Sequence, residues 1–154
     1  MKERPISFSA EILRAVVEGR ETMTRRVIVP QPDNWAWDGQ PYVEYYKPEY
    51  RQVYCPYGAP GDRLWVRESI RRRYGVFNNL SGATYCSTLL PVDGIGPAGG
   101  YMGRALVDWR WKRDVLPAIC MPRWASRITL EVLDVRVEID PWCWVVSFRV
   151  VEAR

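Results

Sequence analysis

Histidine is missing from this chain of 154 residues. Its absence removes Ser–His and Cys–His nucleophile pairs, any histidine-based nuclease mechanism and every imidazole metal ligand. Cysteine does not fill the gap. Cys55, Cys86, Cys120 and Cys143 stand 31, 34 and 23 residues apart, and none of these gaps is the C-x-x-C spacing of a zinc site. Neither a metal nor another cofactor is therefore expected, and the four read as free, partly buried thiols. No apolar run reaches the roughly 18 residues of a membrane helix, so no membrane span is expected. The opening Met1-Lys2-Glu3-Arg4-Pro5 lacks the apolar stretch of a signal peptide, which predicts a cytosolic protein.

Lysine is almost as scarce. Of 22 basic residues only Lys2, Lys47 and Lys112 are lysine, which leaves 19 arginines and a net charge of +4. Arginine presents a planar fork of donors that suits phosphate and stacking, where lysine offers a point charge. Together with eight tryptophans and nine tyrosines, this composition suits a polynucleotide partner. A GC-rich genome is the other source of such an excess.

The chain reads as one domain over 1–154. Pro5-Ile6-Ser7-Phe8 enters as a short strand, and Ser9 is placed to cap a helix, with Glu11 in its first turn. Ile12, Leu13, Val16 and Val17 share one helical face, and Gly19 supplies the stop. The polar block Gly19-Arg20-Glu21-Thr22-Met23-Thr24-Arg25-Arg26 follows, and a strand is expected from Arg26 to Val29. Residues 30–54 hold no period; they read as a surface excursion with aromatics and room for one short hairpin. Cys55 to Asp62 is dense in turn formers. Arg63 to Ile70 alternates as a strand, with Leu64 and Val66 on one face and Arg63, Trp65 and Arg67 on the other. A second insertion, 71–116, opens on Arg71-Arg72-Arg73 and closes on Trp109 to Arg113. After it, Ile128, Leu130 and Val132 alternate. Leu133, Val135, Val137 and Ile139 then alternate in the opposite phase, which predicts a bulge near Val132–Leu133. Trp142, Trp144, Val146, Phe148 and Val150 make the last strand. The sum is an α+β fold: a small barrel of five to six mostly antiparallel strands, one N-terminal helix and two long irregular insertions.

Three blocks stand out: Gly19 to Arg26; Cys55-Pro56-Tyr57-Gly58 with Pro60 to Glu68; and Met121-Pro122-Arg123-Trp124-Ala125-Ser126-Arg127. In this order they resemble ASCH-domain proteins of the PUA-like superfamily, most closely the phage and prophage branch. The resemblance implies a PUA-like β-barrel whose groove binds RNA or a modified nucleoside. It also implies an alternative, since some members hydrolyse N4-acetylcytidine or are linked to RNA cleavage. Where the amidohydrolase members carry a catalytic lysine, this chain has Glu21.

The first expectation is a nucleic-acid-binding module in which Arg20, Arg25, Arg26, Arg63, Arg67 and Arg123 meet phosphates. Trp65 or Trp124 would stack a base, and Thr22 and Thr24 would bond a base edge or phosphate. The enzyme alternative uses Glu21 or Glu68 as general base, Thr24 as nucleophile and Arg26 as oxyanion donor. Against it, a glutamate among arginines is normally an ion-pair partner and a weak base. A third reading makes the aromatic excursions, Trp35 to Tyr54 and Tyr101 to Trp111, an interface for a host or phage protein.

Overall fold

The computed structural model describes residues 1–35, 41–44, 50–74, 81–86, 111–139 and 141–153. The first helix, α1 (Ala10–Val17), is assembled almost entirely from local signals. The Ser9 hydroxyl accepts from the Ile12 N–H at 3.3 Å, a cap of the kind that contributes about 1 kcal/mol. At the other end the Gly19 N–H reaches the Val16 carbonyl and the Arg20 N–H the Ala15 carbonyl. This is the double bond of a Schellman stop, and Gly19 supplies the positive φ of 76° that it requires. The buried stripe is narrower than the sequence reading. Leu13 and Val16 enter the core, whereas Ile12 and Val17 are each 47% exposed. Ala15 is buried as well, so the inward stripe of this short helix is Leu13, Ala15 and Val16.

Five strands form the main sheet: β1 (Glu3–Ser7), β2 (Met23–Val27), β6 (Arg63–Arg67), β10 (Ile128–Glu138) and β11 (Cys143–Ala153), in the order β1-β6-β10-β11-β2. All neighbours are antiparallel except β1 and β6, which run parallel with Ser7 opposite Arg67. The sheet curls towards a barrel. Its two edge strands come close enough for the guanidinium of Arg26 in β2 to donate to the Ser7 carbonyl in β1. Inside the curl, Leu64, Val66, Leu130, Val132, Val146 and Phe148 pack against Leu13 and Val16. At roughly 1.5–3 kcal/mol per fully buried large apolar side chain, this cluster is the main favourable contribution to folding.

The β10–β11 register shifts between Val132 and Asp134, at the expected bulge. Leu133 is the extra residue there and is 49% exposed. Two expectations shift. The strand after α1 begins at Met23 rather than Arg26, so Thr24, Arg25 and Arg26 alternate on a strand instead of crowding one turn. The insertions also contain ordered sheet. The first carries β3 (Asn34–Trp35), β4 (Pro41–Glu44) and β5 (Tyr50–Gln52), and the second carries β7 (Ile70–Tyr74), β8 (Ser81–Tyr85) and β9 (Val115–Leu116). Cross-strand pairing stabilises these short segments, and neither period-2 nor period-3.6 patterning survives in pieces of two to five residues. The expected strand Arg63–Ile70 is accordingly split at Glu68–Ser69. Most of the Tyr101 to Trp111 stretch, with the 87–110 region generally, lies outside the described residues. No helix among the described residues is long and apolar enough to cross a membrane.

Candidate nucleic-acid interface

Alternation on two strands decides where the arginines of the three blocks point. On β6, Leu64 and Val66 are fully buried, while Arg63, Trp65 and Arg67 lie half-buried on the opposite face. On β2, Thr24 and Arg26 sit opposite Val146 and Trp144 of β11, two core residues, so these two side chains turn inward and Arg25 turns out.

Arg26 therefore reaches across the seam of the curled sheet. Its Nε–H donates to Thr24 Oγ1 at 3.2 Å, its Nη2 donates to the Ser7 carbonyl, and its Cζ lies 5.2 Å from the Phe8 ring centre and 5.8 Å from that of Tyr57. Arg67 arrives at the same serine from the other side. Its Nε–H donates to Ser7 Oγ at 3.2 Å and its Nη1 to the Ile119 carbonyl at 3.4 Å. Blocks one and two thus meet at Ser7. Among the described residues neither arginine has a carboxylate partner; each is held by neutral oxygens that leave its positive charge uncompensated.

Block three joins through Arg123, whose guanidinium lies 5.8 Å above the Trp65 ring. The same group is held by Glu3 through Nε–Oε2 at 3.1 Å and Nη2–Oε1 at 3.3 Å. That hydrogen bond is the chief reason the Glu3 carboxyl is held below its ordinary value. Arg63 faces Glu3 across the parallel β1–β6 pair and adds to the effect. Trp124 stacks on Trp111 at 6.5 Å between ring centres rather than standing alone.

The other predicted residues are placed elsewhere. Arg20 pairs with Glu18 beside it on the surface. Arg25 pairs with Glu138 at 3.1 Å, across the β10–β11 hairpin. Thr22 is exposed and uses its carbonyl to accept the Phe148 N–H. Glu21 is exposed on the turn, its N–H bonded to Ala15. Glu68 is 3% exposed and held by Arg127 through Nε–Oε2 at 2.9 Å and Nη2–Oε1 at 2.8 Å. A carboxylate fixed on both oxygens by a buried bidentate fork is a fold element.

Gly61 and Asp62 of block two are structural as well. The Asp62 carboxylate accepts the Lys2 N–H at 2.9 Å and the Ala59 N–H at 3.1 Å, and these bonds depress its pKa. Burial raises the thiol pKa of both Cys55 and Cys86, which makes them poor nucleophiles at neutral pH. Among the described residues no three metal-ligating side chains come together.

Sequence reasoning passed over Ser7, Glu3 and Tyr57. Their roles follow from the β1–β6 pairing and the closure of the seam, contacts between segments some sixty residues apart that no local motif signals. Comparison with protein-family models, with curated proteins and with solved structures finds no match.

Proposed function

We propose that this chain is a nucleic-acid-binding module of the ASCH kind on a PUA-like barrel, acting on RNA or a modified nucleoside in the cytosol of a bacterial host, without catalysis of its own. The observation that carries this reading is the meeting of Arg26 and Arg67 at Ser7, two arginines on neutral acceptors and without a carboxylate among the described residues. Next to them lies the Arg63-Trp65-Arg67 row with Arg123 above the indole. Guanidinium forks beside a half-buried aromatic face are what a sugar-phosphate strand with unstacked bases requires. The buried pairing of Glu68 with Arg127 supports binding over acid–base chemistry, because it occupies the better placed of the two candidate glutamates.

The test is binding of labelled RNA and DNA oligonucleotides across a salt series, with wild type beside Arg63→Ala/Arg67→Ala. Neither side chain is part of the apolar core, so the variant should remain folded, with a modest drop in melting temperature from the lost Ser7 and Ile119 bonds. Wild type is expected to bind with log K falling against log salt, and the variant to lose about 0.7 of slope per phosphate contact removed. An absence of wild-type binding at about 50 mM salt would refute the reading, since phosphate contacts are strongest there.

A further inference from the structure

Arg4 occupies an unusual place for an arginine. It lies two residues from Ile6, which is 1% exposed in the core, so alternation along β1 directs its side chain to the inner face of the curled sheet. There its Nε is sealed from solvent and, among the described residues, has no hydrogen-bond partner. A guanidinium N–H taken out of water and left unsatisfied is costly, and such a group calls for an explanation, a bound ion among them.

The space around it is a cavity of about 540 Å³, walled by Arg4, Trp35, Tyr54, Val135, Val137 and Trp144. Trp35 is pinned for this position. It belongs to β3, and its ring packs on Trp142 at 4.7 Å between centres. Trp142 in turn is clamped by Gln31, which accepts its N–H at 2.9 Å and donates to its carbonyl at 2.9 Å. The cavity therefore combines aromatic faces, two valines and a half-buried arginine, with Lys2 also on its wall. Arg136 lines it too, sharing Glu138 at 3.3 Å. Among the described residues Asp62 is the one carboxylate on the wall, and both its oxygens already accept backbone N–H groups.

We propose that this cavity is a second binding site, separate from the Ser7 junction, for a flat aromatic ring bearing one anionic group and of the size of a mononucleotide. The ring would lie among Trp35, Tyr54 and Trp144, and the phosphate or carboxylate would pair with the Arg4 side chain where it lines the cavity. The volume falls within the range of roughly 300–1,000 Å³ usual for small-molecule sites. A charge-assisted bond to the Arg4 guanidinium supplies the orientation, and the aromatic walls supply the contact area. The inference does not rest on the nucleic-acid reading and survives its failure.

The experiment is calorimetric titration of the full chain with cytidine and adenosine monophosphates, the parent nucleosides, inorganic phosphate and indole-3-acetate. The same series is run on Arg4→Met, Trp35→Leu and Arg63→Ala/Arg67→Ala. Arg4→Met keeps an apolar stem and removes an unsatisfied donor, so it should melt no lower than wild type. The expected result is binding of at least one ring-bearing anion, with the nucleosides and phosphate far weaker. Arg4→Met should weaken that binding about 10- to 100-fold, the value of a hydrogen bond to a charged group; Trp35→Leu should weaken it as well, and the Arg63/Arg67 variant should leave it unchanged. Nucleotides binding without indole-3-acetate identifies a phosphate ligand, and the reverse identifies an aromatic carboxylate. Binding of neither up to about 5 mM, or equal binding by wild type, Arg4→Met and Trp35→Leu, overturns the proposal.

Discussion

Two arginines four residues apart, Arg123 and Arg127, hold two glutamates with the same bidentate fork in opposite surroundings. Arg127 and Glu68 are 9% and 3% exposed, whereas Arg123 and Glu3 are 42% and 41% exposed. In the buried pair each charge has lost its water and depends on its partner, so breaking the pair leaves an uncompensated charge. In the exposed pair water competes for both groups, and the net value of the contact is small. The buried pair ties the Glu68–Ser69 kink between β6 and β7 to the entry of β10. The exposed pair orients a guanidinium over Trp65 and stays free to exchange Glu3 for another anion. One motif therefore supplies a fold anchor and an adjustable contact, and solvent access separates them.

The largest effect should come from Arg127→Met, expected to lose about 3–5 kcal/mol of stability in denaturant unfolding. The double variant Arg127→Met/Glu68→Leu should recover most of that loss, because it removes both charges together. If the single variant costs no more than Arg123→Met does, burial is not what distinguishes the pairs.

Gly58→Ala sharpens the same contrast from the backbone side. Gly58 has φ 93°, and a Cβ there would lie 2.6 Å from Asp62 Oδ2. The substitution should cost about 1–3 kcal/mol, read from the same unfolding curves. A neutral result would mean that the Asp62 turn is not rigid.

Arg123→Ala is expected to lower stability by less than about 1 kcal/mol while weakening oligonucleotide binding. A larger loss of stability than of binding would make it an anchor like Arg127.

The smallest effect concerns acid. The Glu3 carboxyl titrates below its ordinary value of 4.5, chiefly through the Arg123 hydrogen bond. Its pKa is depressed in the fold, so its contribution is fully present above that ordinary value and is lost as pH falls through the folded pKa. The stability difference between wild type and Glu3→Gln should therefore stay constant from neutral pH to about pH 5 and shrink below about pH 4.5 in acid melts. A difference that changed between pH 7 and pH 5 would point to another titrating group.

Much of the fold was legible because its signals are local. Ser9 and Gly19 bound α1 through bonds spanning at most five residues, and the phase flip at Val132–Leu133 marks a bulge within one strand. The outer row Arg63-Trp65-Arg67 follows from alternation alone. The small sheets of the insertions were not legible, since strands of two to five residues are stabilised by partners rather than by their own pattern. The candidate site divides in the same way. Arg63, Trp65, Arg67 and Arg123 come together as the blocks suggest, whereas Arg20 and Arg25 pair with Glu18 and Glu138.

By itself, then, the sequence determined the helix and its caps, the strand alternation, the bulge and the set of arginines available for binding, because hydrogen bonds and side-chain periodicity act over a few residues. Only the tertiary structure decided which arginines keep an uncompensated charge. The parallel β1–β6 pair and the curl of the sheet bring Ser7 between Arg26 and Arg67, bury Glu68 against Arg127 and turn Arg4 inward. Those outcomes depend on desolvation and on contacts between distant segments, and both exist only once the sheet has closed.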